Sequence, residues 1–461
     1  MHRTSPPVSA KDRRRPSADG CGAADAVVNS IASAFKSGPA PSREALLLIC
    51  CASSVATPER TARLRAIVDE GVDWQRVSHM ASMQAVMPLV YRYLTSELEG
   101  ALPADATGGL RRAFYGNSVR NLHLARELVR LTALLERGGV EPLALKGPAL
   151  AMAAYGAVAM RQFSDLDLLV RKSEVGRAAE ILLSAGYAPR AGYGLGDLDR
   201  PGTYEITMVR AGALTDIDLH WRLIPPYFPI ALDGEDLWRR AVRIEIEGGA
   251  VRTLAPADHL LYLCAHGAKH GWQALGGICD LAELINASSR TSTPALSQCS
   301  SRTSLQPLSQ PLWIDWDELS ARAERAAAHR ALELGVLLAH ELLDAAVPAS
   351  LLEAARREPA VVRAAQSFIG YVRDPSDDGP GFYQRWVVPL GVIARPGARL
   401  RYLAARALLP SADDHEFLPL PLALYPLYYL LRPVRVALKE GTAALRRLVR
   451  SAPHPADHSS R

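Results

Sequence analysis

Two short runs of the chain alternate acidic and apolar side chains with a period of two: Asp165-Leu166-Asp167-Leu168-Leu169-Val170 and Asp216-Ile217-Asp218-Leu219-His220-Trp221. That alternation predicts extended strands whose leucines enter a core, with Asp165 and Asp167 sharing the opposite face. Asp216, Asp218 and His220 share a face in the same way. Around these runs the pattern predicts a compact α/β unit over roughly residues 140–225. Residues 140–145 read as a short buried strand, 149–155 as a helix, and 174–185 as a helix stopped by Gly186. Residues 203–209 and 214–220 read as the arms of a hairpin turning through 210–213.

Outside this unit the period is helical. Apolar residues recur at spacings of three and four through Leu64, Ile67 and Val68, through Met87, Leu89 and Val90, and through Leu124, Leu128 and Leu131. Helical patterns return over 258–285, 319–346 and 351–372. The expected organisation is a disordered tail over 1–42, a helical segment over 43–138 and an α/β core over 139–255. A helical segment over 256–287, a flexible insertion over 288–311, a helical C-terminal domain over 312–450 and a disordered tail over 451–461 follow. The fold class is α+β.

Composition narrows the setting. Of 461 residues 49% are hydrophobic and 22% charged, as in an ordinary globular protein. The net charge of +5 permits anionic substrates without demanding nucleic acid. The basic runs Arg13–Arg15 and Arg446, Arg447 and Arg450 lack the interleaved aromatics on which bases stack, so no nucleic-acid partner is expected. Six cysteines without a CxxC pair fit a reducing compartment, and no apolar run follows the basic N-terminus, so a cytoplasmic location is expected. Residues 417–431 are apolar but contain Pro419, Pro421 and Pro426, too short and broken to span a bilayer. Membrane contact is not expected, and the oligomeric state is not legible.

The acidic strands carry the chemistry. Like charges ~4 Å apart repel by roughly 4 kcal/mol per pair at an effective dielectric near 20. Three converging carboxylates therefore call for a hard divalent cation, commonly Mg²⁺ with a substrate phosphate. The competing reading has Asp165 capping a turn and Asp218 decorating an exposed strand. Repetition of the alternation on two separate strands speaks against it. His266, Lys269 and His270 stand at i, i+3 and i+4 and line one helix face, with Asp280 beyond as a partner. The His266 and His270 spacing is that of a zinc protease helix, but the required Glu is missing. The acidic run 374–379 has the composition of a plain turn.

The ordered set Leu145-Lys146-Gly147, Tyr155, Arg161, Asp165 to Val170, Gly186-Tyr187, Asp218-Leu219-His220-Trp221, His266, Lys269, His270, Asp280 and Leu430 to Pro433 resembles the uncharacterised nucleotidyltransferase family of bacteria. That branch belongs to the superfamily of DNA polymerase β and the aminoglycoside nucleotidyltransferases. The resemblance covers roughly 45–435 and implies a small mixed sheet with helices. It implies that Asp165, Asp167 and Asp218 hold one or two Mg²⁺ ions, or Mn²⁺, against a triphosphate, with Asp218 also drawing the acceptor's proton. Lys146 and Gly147 replace the superfamily's glycine turn in holding the triphosphate, and Pro148 removes one backbone donor. Arg161 either meets phosphate or holds the carboxylates, and His220, His266, Lys269, His270 and Asp280 line the cleft.

The expected activity is Mg²⁺-dependent transfer of a nucleoside monophosphate from an NTP such as ATP to an unidentified acceptor, with release of pyrophosphate. The alternative is a non-catalytic nucleotide-binding or partner-binding protein of a biosynthetic gene cluster. Loss of a carboxylate would favour it, and none is missing.

Overall fold

The computed structural model describes residues 40–98, 102–190, 198–200, 202–212, 215–291, 313–373 and 383–438. The expected tails apart from residues 40–42, nearly all of the 288–311 insertion and the acidic turn at 374–379 lie outside the described residues.

Seven strands form one mixed sheet. They are β1 (Leu143–Ala144), β2 (Asp165–Leu169), β3 (Ala188–Pro189), β4 (Glu205–Val209), β5 (Asp216–His220), β6 (Val242–Ile246) and β7 (Gly249–Thr253), in the spatial order β3-β4-β5-β2-β1-β7-β6. The expected α+β architecture with a mixed sheet is borne out. β2 and β5 run parallel at the centre, and β4 pairs antiparallel with β5 as the predicted hairpin requires. The β6–β7 hairpin was not read from the sequence. It turns through Glu247 and Gly248, both at positive φ, as a two-residue hairpin turn demands.

Alternation sorts the two faces of the sheet. Leu166, Leu168, Ile217 and Leu219 enter one core with Leu124, Leu128, Leu131 and Leu135 of the Ala104–Arg137 helix and Leu182 of the Val175–Ser184 helix. The opposite face, carrying the acidic residues, lies beneath a larger helical core in which Leu143 and Leu169 meet Leu260, Leu261 and Leu281. That core is built from the Pro256–His270, Leu275–Thr291 and His329–Leu343 helices among others.

Two local departures shape the site. Residues 258–285, expected as one helical run, are broken: Gly271 caps the Pro256–His270 helix in the left-handed region and Trp272 follows at φ +52°. The next helix then continues to Thr291, past the expected boundary at 287. The expected 149–155 helix is a short Gly147–Leu150 helix that widens into a π turn over Ala151–Tyr155. Near the C-terminus Tyr428 is buried and Arg432 and Arg435 pair with Asp414, while Phe417 and Leu430 face outward. No helix among the described residues is long and apolar enough to cross a membrane.

Candidate active site

The parallel register of β2 and β5 sets Asp165 beside Asp216 and Asp167 beside Asp218. These pairs stand on the face away from the leucine core, so the acidic groups of two distant segments do converge. Asp216 lies at the outer end, half out in solvent, paired with Arg190. Asp167 is almost completely buried and is the hub.

Its Oδ1 receives Lys146 Nζ at 3.0 Å and His220 Nε2 at 3.2 Å. Its Oδ2 is buried with no partner. Burial alone would raise the Asp167 carboxyl, but Lys146 and His220 outweigh it and hold it well below the usual carboxylate range. Lys146 in turn is held above its ordinary range by Asp167 despite its own desolvation, and its Nζ also reaches His266 Nε2 at 3.4 Å.

Asp218 is set differently. Thr207 donates its hydroxyl to Asp218 Oδ1 at 2.7 Å. Burial, with the negative charge of Asp167 beside it, pushes Asp218 up to about 6. Asp165, half-buried, is raised by the same two causes in the same order.

His220 bridges two carboxylates, with Nε2 at Asp167 and Nδ1 3.0 Å from Glu205 Oε2. Desolvation opposes its charge, yet Glu205 and Asp167 prevail and push it up to about 9. Glu205, which burial would raise, is brought down to about 2 by His220 and then Lys269. Lys269 donates to Tyr204 Oη at 3.2 Å, and burial brings it down to about 8.

A linkage follows from the two shifts. The folded pKa of His220 exceeds its ordinary 6.5, so its contribution to stability is complete below pH 6.5 and is lost as pH rises through about 9. Glu205 acts oppositely: its contribution is complete above pH 4.5 and fades as pH falls towards 2. Over pH 7 to 10 His220 alone should therefore lose an amount equivalent to about 2–3 kcal/mol, while Lys269, held near 8, gains over the same range. The His220 limb is read as the difference in urea midpoint between wild type and His220→Gln, which should shrink by that amount from pH 7 to 10. A difference that does not change with pH would refute the assignment.

Arg161 and Asp280, 119 residues apart, form a bidentate pair with all contacts at 3.0 Å, and Tyr155 Oη donates to Asp280 at 2.9 Å. Asn117 and Asn121 hold the Arg161 carbonyl from the Ala104–Arg137 helix. Arg161 thus ties the start of β2 to the Leu275–Thr291 helix. Gly147 lies under the other end of the site at φ +57°, where a Cβ would stand 3.3 Å from the Asp165 carbonyl. Gly147→Ala is expected to cost about 1–2 kcal/mol in chemical denaturation from its left-handed backbone alone.

Lys146, Asp167, Asp218 and His220 come together with His266 and, through Glu205, Lys269. Arg161 and Asp280 stand across a cavity, and His270 lies on its exposed lip with its ring 4.6 Å from that of His266. Glu205 and Thr207 were missed in the sequence. The signal was present in the hairpin, whose register places Glu205 opposite His220 and Thr207 opposite Asp218.

One group of side chains among the described residues, Asp167, Asp218 and His220, brings potential metal-ligand atoms within 4.8 Å of one another. The orphaned Asp167 Oδ2 beside the half-buried Asp218 carboxylate suits a hard divalent cation, since a buried carboxylate oxygen left without a partner is costly. His220 suits it less. Between two carboxylates its ring is pushed up to about 9, and the protonated ring has no lone pair to give. The two carboxylates, with Asp165 beside them, could hold such an ion, while His220, 3.2 Å from Asp167 Oδ1, orients that carboxylate.

The model of one protein family, described as an uncharacterised nucleotidyltransferase, matches residues 70–314, just over half of the chain. No curated protein and no solved structure matches.

Proposed function

Because the chain belongs to the uncharacterised nucleotidyltransferase family, and so is a transferase of phosphorus-containing groups, we propose that it moves a nucleoside monophosphate from an NTP to a nucleophile on a separate acceptor, releasing pyrophosphate. The observation that carries this reading is the in-register pairing of Asp167 with Asp218 across adjacent parallel strands, with Asp167 Oδ2 buried and unpartnered.

Asp167 and Asp218, with Asp165 beside them, would hold Mg²⁺ or Mn²⁺. Such an ion, when bound, polarises a phosphate and offsets charge developing on it. Lys146 Nζ swings from Asp167 to the triphosphate, a charge-assisted contact of the kind lysine makes with phosphate. His220 and Glu205 keep Asp167 from rotating as Lys146 leaves it. Asp218 takes the acceptor's proton on the oxygen that Thr207 does not occupy. Burial and Asp167 raise this carboxylate to about 6 without the ion, and a bound cation would keep it ionised at neutral pH, ready to accept a proton.

The test is label transfer. With α-labelled NTPs, divalent ion and a panel of small-molecule, peptide and protein acceptors, the full chain should pass label to an acceptor and release pyrophosphate. Transfer of γ-label in place of α-label, or NTP binding without transfer to any acceptor, would overturn the proposal.

A further inference from the structure

A cavity of about 320 Å³ opens beside Lys146, walled by Arg161, His266, His270, Trp272 and Asp280. Its place in the fold says which substrate it serves. Along the sheet the order β5-β2-β1 puts Asp218, then Asp167, then Lys146 at the end of β1. In the proposed reaction Asp218 receives the acceptor's proton and Lys146 the triphosphate. The cavity therefore lies at the nucleotide's end of the row, with the acceptor at the other.

Its chemistry says which part of the nucleotide. Of the two cations on its wall, Lys146 is given to the triphosphate in the proposed reaction and Arg161 is matched by the bidentate Asp280. The Leu275–Thr291 helix begins at the cavity, but its first amides are taken. Leu275 N–H donates to Gln84 Oε1 and Gly276 N–H to the Gln84 carbonyl, each at 2.8 Å. What remains is uncharged: the imidazole of His266, which burial holds neutral, the imidazole of His270 at the lip, and the indole of Trp272. The Trp272 side chain is buried, and its Nε1 donor has no partner. A buried donor left unmatched costs stability unless a ligand completes it.

The backbone points the same way. Of the five non-glycine residues at positive φ among the described residues, Ala85 and Trp272 both line this cavity, at +54° and +52°. Strain of this kind persists where the surroundings over-determine it, and it gathers at ligand sites. Gly267 allows the approach, since a Cβ there would meet the Trp272 ring at 2.4 Å.

We infer that this cavity seats the nucleoside moiety of the NTP, its base met by neutral hydrogen-bonding groups beside Trp272, and that the protein accordingly discriminates among bases. The inference rests on the nucleotidyl-transfer reading for the placement of the triphosphate at Lys146. It assigns to His266, His270 and Trp272 a role in choosing the nucleotide.

The experiment measures binding by calorimetry to the full chain, without turnover. The probes are adenosine, guanosine, cytidine and uridine, the matching NTPs with Ca²⁺, and inorganic tripolyphosphate. One nucleoside and its NTP should bind at least tenfold tighter than the other three. Filling the cavity from its exposed lip with His270→Trp should weaken that NTP at least tenfold and leave tripolyphosphate within twofold. Gln273→Trp, from another exposed position on the wall, gives a second filling variant should the first not fold. Equal affinity for all four NTPs would overturn the inference, as would a filled cavity that weakens tripolyphosphate or leaves the affinity for the preferred NTP unchanged. A protein that binds one nucleoside selectively but transfers no α-label would instead sink the transfer reading alone.

Discussion

Asp167→Asn is expected to reduce nucleotidyl transfer by at least about 10²–10³-fold, the loss typical of removing a preorganised electrostatic group from a reaction centre. The substitution preserves shape and one acceptor oxygen, so His220 keeps a partner. It removes the negative charge that holds Lys146 and replaces the orphaned Oδ2 of the buried Asp167 by an amide or turns the amide towards the ammonium. His220 is then left with Glu205 as its counter-charge, and Lys146 with Asp165. Some loss of stability must accompany the loss of activity, of about 2 kcal/mol, since a hydrogen bond to a charged group is weakened and not deleted. Assays well below the melting transition separate the two effects. Asp216→Asn is the matched control. It stands two residues before Asp218 on the same face of the same strand, but half in solvent and paired only with Arg190. Exposed pairs of this kind are worth about 0–1 kcal/mol, and transfer should be unchanged. Equal loss in both variants would mean that strand charge in general, and not the Asp167–Asp218 juxtaposition, governs the rate.

Arg161→Met is expected to have the largest effect on stability, about 3–5 kcal/mol by chemical denaturation. Breaking a buried ion pair leaves the surviving charge without compensation. Asp280 would remain almost completely buried with only Tyr155 donating to it. The prediction gains force from the double variant. Arg161→Met with Asp280→Leu removes both charges, and apolar replacement of a buried pair is commonly close to neutral. The residue of the cost should be about 1–3 kcal/mol, for the Tyr155 hydroxyl that loses its acceptor. If the double variant is as unstable as the single one, the pair does not act as a unit. Because this pair also fixes the start of β2 against the Leu275–Thr291 helix, Arg161→Met should raise the KM for NTP before it lowers kcat.

Much of this centre was legible in the chain because the determining signals were local. Alternation with a period of two is a property of five or six consecutive residues, and it placed Asp167 and Asp218 on the correct faces before any pairing was known. The same reasoning identified the 203–220 hairpin. Glu205 and Thr207 stayed hidden because their roles depend on register, which one residue of slip would reverse. Carrying the hairpin pairing one step further would have found both. The Arg161–Asp280 pair lay beyond local reach: it closes over 119 residues, and its ends are brought together by tertiary packing, with the π turn at Ala151–Tyr155 against the Leu275–Thr291 helix and the Arg161 carbonyl held by Asn117 and Asn121. The break at Gly271 and Trp272 was also missed, because a tryptophan at positive φ breaks local preference and is enforced by tertiary contacts with Gly267 and Gly277. That position is also where the cavity formed.

In the proposed reaction Asp167 and Asp218, from adjacent parallel strands, jointly hold one divalent ion at the reaction centre. Manganese binding followed by electron paramagnetic resonance, on wild-type protein and on Asp167→Asn, Asp218→Asn and Asp216→Asn, is the decisive measurement. A bound Mn²⁺ signal is expected in the wild type and in Asp216→Asn, with affinity at least tenfold weaker in each of the other two. Undiminished Mn²⁺ affinity in both Asp167→Asn and Asp218→Asn would contradict it.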